Sequence, residues 1–146
     1  MKKINKNAKN VSIEIKSVRD GYETSLFVSD AKMAISDKDE YLIEFDGTEM
    51  IGIDGERISF LVDGQKKVVM TTGNKVIFSQ LILEKGVRHH SQYMDEFDEP
   101  VIVGVLANNI KSNMNSSGGK VEIRYTIELN HSMASDNLMS VNVITQ

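Results

Sequence analysis

Apolar and polar residues alternate along most of this chain, and turn residues interrupt the alternation about every eight to twelve positions, the spacing of an all-β domain. Lys120 to Leu129 shows the pattern most plainly. Val121, Ile123, Tyr125, Ile127 and Leu129 alternate with Glu122, Arg124, Thr126 and Glu128. A period of two puts each set on its own face of a β-strand. The same alternation runs through Val11, Ile13 and Ile15, and through Ile58, Phe60 and Val62. Asp-Gly pairs at Asp20-Gly21, Asp46-Gly47, Asp54-Gly55 and Asp63-Gly64 separate such runs, with Thr72-Gly73, Lys85-Gly86 and Ser117-Gly118-Gly119 continuing the series. Both residues of an Asp-Gly pair tolerate positive φ, which tight turns matched to strand twist require.

The pattern predicts strands over 11–18, 22–28, 32–35, 40–45, 57–62, 66–72, 75–83, 88–93, 101–110, 120–129 and 138–145. Ser29 to Ile35 also fits a helical turn, and Leu106 to Met114 has weak periodicity. Pro100, the only proline, precedes a strand, where its missing N–H is tolerated. Short connections make sequential neighbours pair antiparallel. Closure removes the exposed edges that so many strands would otherwise leave. The expected fold is therefore all-β, a single antiparallel meander β-barrel of about ten strands. Residues 11–146 form its one domain, behind a flexible basic tail, residues 1–10.

The net charge of −4 is unevenly placed. Residues 1–19 hold six basic side chains and one acidic, whereas residues 20–56 hold two basic and eleven acidic. Asp95, Glu96, Asp98 and Glu99 add a short acidic run. A basic tail before an acidic body is a poor nucleic-acid footprint, so nucleic acid is not the expected partner. The chain has no cysteine, which excludes disulfides and thiolate metal sites and fits a reducing, cytoplasmic setting. Lys- and Asn-rich residues at Met1 to Asn10, with no apolar stretch behind them, do not form a secretory signal. No apolar run reaches the roughly 18 residues of a membrane-spanning helix.

Catalytic and metal-binding patterns are missing. His89 and His90 are adjacent, so in a strand they point to opposite faces and cannot share an ion. Asp95 to Glu99 lacks the spacing and the turn glycine of a calcium loop. There is no Gly-x-Ser-x-Gly elbow, and Ser91, two residues from His89, has no carboxylate in sequence to orient the pair. No phosphate-binding glycine loop is present. The eight methionines are scattered and read as core filling. No cofactor is expected.

The segment Leu83-Glu84-Lys85-Gly86-Val87-Arg88-His89-His90-Ser91-Gln92-Tyr93 is followed by Gly104-Val105, by Gly118-Gly119-Lys120-Val121-Glu122-Ile123-Arg124-Tyr125 and by Ser135-Asp136-Asn137. In order and spacing these residues resemble the YwiB-like family, uncharacterised small bacterial proteins with a calycin-like β-barrel. Glu40 to Gly55 resembles that family's tyrosine-rich strand and following turn. The resemblance spans residues 11–145. It departs after Tyr93, where the family continues with threonine, an aromatic and glycine but this chain has Asp95, Phe97 and Asp98. The resemblance implies a lipocalin-like or fatty-acid-binding-protein-like barrel, and it implies no reaction.

The functional expectation is a non-enzymatic barrel that binds a small or apolar ligand in its mouth. The alternative is a module that contacts protein or RNA with its outer surface. His89, Ser91 and Tyr93 share one face of a strand with few large apolar residues. Together with Tyr125 they are expected to line the lumen near one mouth and to hold a ligand's polar end. Arg88, His90 and Gln92 are expected to face solvent.

Overall fold

The structure, a computed structural model, describes residues 8–36, 38–46, 57–73, 78–94 and 97–145. The side chains of Phe78, Ser79, Tyr93 and Met94 lie outside that description, as do the expected turn at Asp54-Gly55, Gly47, residues 95 and 96 of the acidic run and residues 1–7 of the tail. No helix occurs among the described residues.

Ten strands follow one another: β1 (Lys9–Arg19), β2 (Tyr22–Ile35), β3 (Glu40–Asp46), β4 (Arg57–Asp63), β5 (Lys67–Gly73), β6 (Phe78–Glu84), β7 (Arg88–Met94), β8 (Pro100–Ser112), β9 (Gly118–Leu129) and β10 (Ser132–Thr145). All pair antiparallel in one sheet, in the order β6-β5-β4-β3-β2-β1-β10-β9-β8-β7. Each strand thus lies beside its neighbours in sequence except β6 and β7, and β1 pairs with β10 to carry the meander round into a nearly closed barrel. The seam falls between β6 and β7. It is stitched at one end by an antiparallel bridge from Glu84 to Val87 and a parallel bridge from Lys85 to Ala107. The Gly86 N–H also donates to the Ala107 carbonyl at 3.0 Å.

The Asp20-Gly21 turn joins β1 to β2 with φ of 49° and 85°, the doubly positive pair that a hairpin twist requires. Three strands carry a register shift that the alternation alone does not show. In β2 the partners jump from Ala31 to Val28 while β1 advances only from Val11 to Ile13. The extra residue is a bulge, so Ser29 to Ile35 is bent strand rather than helical turn, and the two runs expected at 22–28 and 32–35 are one strand. In β8 a bulge at Asn108 lets both Ala107 and Ile110 face inward, which accounts for the weak periodicity there. In β10 a bulge at Ala134 precedes the buried residues Ser135 and Asn137, and the strand starts at Ser132, six residues before the expected position. The first strand likewise starts at Lys9, inside the stretch expected to be tail.

The inward faces form one core that includes Val11, Ile13, Ile43, Phe45, Phe60 and Ile123, with the Phe45 and Phe60 rings stacked at 6.2 Å. Met33 and Met139 are buried in this core, as expected of the methionines, but Met133 is exposed. The lumen is therefore packed by side chains over much of its length.

Candidate functional site: a polar barrel mouth

The inward alternation changes character along several strands. In β1 it reads Val11, Ile13, Ile15, then Ser17 and Arg19. In β10, read backwards, it is Val143, Val141, Met139, then Asn137 and Ser135. In β2, read backwards from the bulge, it is Val28, Leu26, then Thr24 and Tyr22. Antiparallel register stacks these changes together, because Arg19 lies opposite both Tyr22 and Asn137, and Asn137 opposite Tyr125. The lumen is apolar where the core fills it and polar at the end marked by the β1–β2 and β9–β10 turns.

A cavity of about 520 Å³ opens at that polar end. Ser17, Arg19, Tyr22, Thr24, Tyr125 and Asn137 are among its lining residues. Ligand pockets commonly occupy about 300–1,000 Å³. Its polar wall is ordered by a short relay. Arg19 Nε donates to Asn137 Oδ1 at 3.1 Å, and Asn137 Nδ2 donates to Ser135 Oγ at 2.9 Å. Ser135 and Asn137 are buried, so this pairing removes the penalty of hiding an amide from water. The rim is tied by backbone: Asp20 N–H donates to the Asp136 carbonyl, and Asp136 N–H to Asp20 Oδ1, both at 3.0 Å.

Tyr125 is 7 % exposed. Among the described residues its hydroxyl has no hydrogen-bond partner, yet it is not sealed in the interior, so it opens on the cavity. Burial pushes its phenol above the ordinary value of 10.0, and the Arg19 charge offsets part of the rise. Stability linked to this proton is intact below pH 10.0 and falls as the pH climbs toward the folded-state value, because only the unfolded chain ionises freely there. Between about pH 9 and pH 11, urea unfolding midpoints of the wild type should fall more steeply than those of Tyr125→Phe. Parallel curves would show that the hydroxyl is solvated like a free tyrosine.

The four residues expected at the mouth are not one cluster. Tyr125 lines the cavity. His89 has the same inward parity, opposite Val105, which is itself opposite Ile127. It is half-buried and does not line the cavity; its Nε2 lies 2.9 Å from Glu84 Oε1, across the seam. Ser91 is exposed two residues further along β7, opposite Val103. The Tyr93 side chain lies outside the described residues. Arg88, His90 and Gln92 are exposed. Arg88 Nε pairs with Glu128 Oε1 at 2.9 Å, and the His90 and His131 rings lie 5.9 Å apart. Among the described residues no three His, Asp or Glu side chains converge on an ion-sized space.

Arg19, Ser135 and Asn137 were not among the expected site residues. The signal for Arg19 was available, since continuing the parity of Val11, Ile13 and Ile15 by two steps reaches it. A second space of about 450 Å³ is lined by Gln65, Lys111, Ser112, Asn113, Lys120 and Glu122. It is an open groove of solvated side chains with no buried polar group, so its shape confers little selectivity.

Comparison with known proteins agrees with this architecture. No curated protein matches the chain. The crystal structure of the ywiB protein from Bacillus subtilis superposes with a TM-score of 0.74 over 98 % of this chain and 95 % of that one, at 12 % sequence identity. That likeness extends to the fold alone. Residues 10–141 match the family described as a domain of unknown function, DUF1934. That match spans all ten strands except the last residues of β10 and the first residue of β1, and the chain accordingly belongs to the DUF1934 family, with a barrel like that of YwiB.

Proposed function

We propose that the protein is a non-enzymatic binding protein that holds one small molecule in the polar mouth of its barrel. The observation that carries this reading is the cavity above a packed core, with the Tyr125 hydroxyl, which has no hydrogen-bond partner among the described residues, opening on it and a buried amide relay in its wall. A filled barrel with no such function would gain more by closing that end with apolar side chains, since each buried polar group must be separately satisfied. The same wall supports binding over chemistry. Tyr125 has no histidine or carboxylate bonded to it among the described residues, and the His89–Glu84 pair lies outside the cavity. His89 and Ser91 extend the polar rim along β7 and contribute less than Tyr125, because His89 is already engaged by Glu84.

Protein isolated from its own host should carry a non-covalent small-molecule mass in native mass spectrometry. Thr24→Trp, at an exposed lining position, should block the cavity and abolish that mass while leaving thermal unfolding of the unliganded protein unchanged. Tyr125→Phe should reduce it, and His89→Ala should reduce it less. Retention of the mass in Thr24→Trp would place any ligand elsewhere and end this reading.

A further inference from the structure

Several hydrogen-bond donors line the mouth, and two of them belong to its inner wall. Arg19 is the first. Its Nε donates to Asn137, whose amide is in turn held by Ser135, so the guanidinium is anchored at one nitrogen. Among the described residues no other hydrogen bond or ion pair engages it, which leaves its two terminal amino groups for a ligand. The Tyr125 hydroxyl is the second, neutral at physiological pH and without a hydrogen-bond partner among the described residues. A planar guanidinium with two free amino groups matches the two oxygens of a carboxylate, and such charge-assisted pairs are the strong ones.

Charge at the rim limits the choice. Asp20 also lines the cavity, and among the described residues its carboxylate accepts only the Asp136 N–H. Arg19 is the one cation among the described residues lining the cavity and Asp20 places one negative charge at its rim, so an anionic group must sit on Arg19, and the Asp20 carboxylate repels a doubly charged ligand more than a singly charged one. The depth is limited too. Ile123 and Met139, one step further along β9 and β10, are buried in the core. A ligand body cannot pass them and must turn toward the rim, where the Tyr22 ring is 76 % exposed.

Building on the mouth-binding reading, we infer that this site selects small, singly charged organic acids, whose carboxylate bridges the terminal amino groups of Arg19 and the Tyr125 hydroxyl and whose apolar body lies against the Tyr22 ring. Asn137 and Ser135 act as positioning residues behind Arg19.

The test uses 4-phenylbutyrate, its neutral amide 4-phenylbutyramide and phenyl phosphate, titrated into the full chain labelled with ¹⁵N. The carboxylate should shift the backbone amides of residues 17–24, 125 and 137. It should bind about tenfold or more tightly than the amide, the effect of one charge-assisted hydrogen bond, and phenyl phosphate should bind more weakly as well. Arg19→Gln and Tyr125→Phe should each remove most of that preference, with unfolding curves showing that both variants remain folded. If the amide shifts the same residues with equal affinity and Arg19→Gln changes nothing, the carboxylate assignment is wrong while the mouth still binds. If neither probe shifts those amides, the inference fails, and the mouth reading then rests on the co-purified mass alone.

Discussion

Gly118→Ala should destabilise the barrel by about 2–6 kcal/mol, from a strained backbone and a steric clash acting together. Gly118 opens β9 with φ of +108°, a conformation that side chains with a Cβ rarely adopt. An added Cβ would lie 2.5 Å from the Val143 carbonyl oxygen and 3.2 Å from its carbon. Both are backbone atoms of β10, the strand paired with β9, so no rotamer change can relieve the contact. The turn before it is equally tight: Gly118 N–H donates to the Asn115 carbonyl at 3.0 Å, Asn115 N–H returns to the Gly118 carbonyl at 2.8 Å, and Ser117 N–H donates to Asn115 Oδ1 at 2.8 Å. Gly64→Ala provides the control. Gly64 also has positive φ, +56°, but an added Cβ would meet nothing within 4 Å. Its cost should be only the left-handed backbone penalty, about 1–2 kcal/mol. Urea denaturation of both variants separates the two contributions. Equal losses would show that β10 yields at Val143 and that the close approach carries no energy.

The strands that were legible in the sequence are those in which every second residue faces one way without interruption. β9 and β4 are of that kind, and their inward residues Val121, Ile123, Ile58 and Phe60 are all buried. A bulge defeats this reading because it inserts one residue and reverses the parity beyond it. Asn108 hides the continuity of β8, Ala134 that of β10, and the Ser29–Asp30 step that of β2. The start of β10 was hidden twice over. Ser132 to Asn137 contains Met133 and Ala134 as its only apolar residues, so it resembles loop, and the bulge falls within it.

Those polar inward positions are also the ones that form the mouth, which is why the site was less legible than the fold. Tyr125 could be found because it sits in the cleanest alternation of the chain. Asn137 could not, since its importance depends on register. It lies opposite Arg19 on one side and Tyr125 on the other, and nothing in the local sequence specifies either pairing. His89 and Ser91 have the inward parity that their sequence implies. The seam between β6 and β7, which gives His89 to Glu84, is set by how the barrel closes and leaves no local mark.

Ile123→Ala should cost about 2–5 kcal/mol, the usual range for truncating a buried isoleucine. Ile123 is fully buried, opposite Met139 on β10 and Ile110 on β8, and both of these are buried as well. The barrel wall around it is hydrogen-bonded on both sides and cannot collapse into the space left behind, so the cavity contribution should be close to its full value. Leu129, three inward positions further along the same face, is 45 % exposed near the mouth. Leu129→Ala should stay within about 0.5 kcal/mol of the wild type, as surface substitutions do. The contrast tests the arrangement on which binding depends: one strand face that is solid core at Ile123, buried at the floor of the cavity at Tyr125 and solvent-exposed at Leu129. Chemical denaturation of the two variants measures it directly. A large loss for Leu129→Ala, comparable to that for Ile123→Ala, would mean that the turn end of the barrel is packed shut in solution and that no ligand enters there.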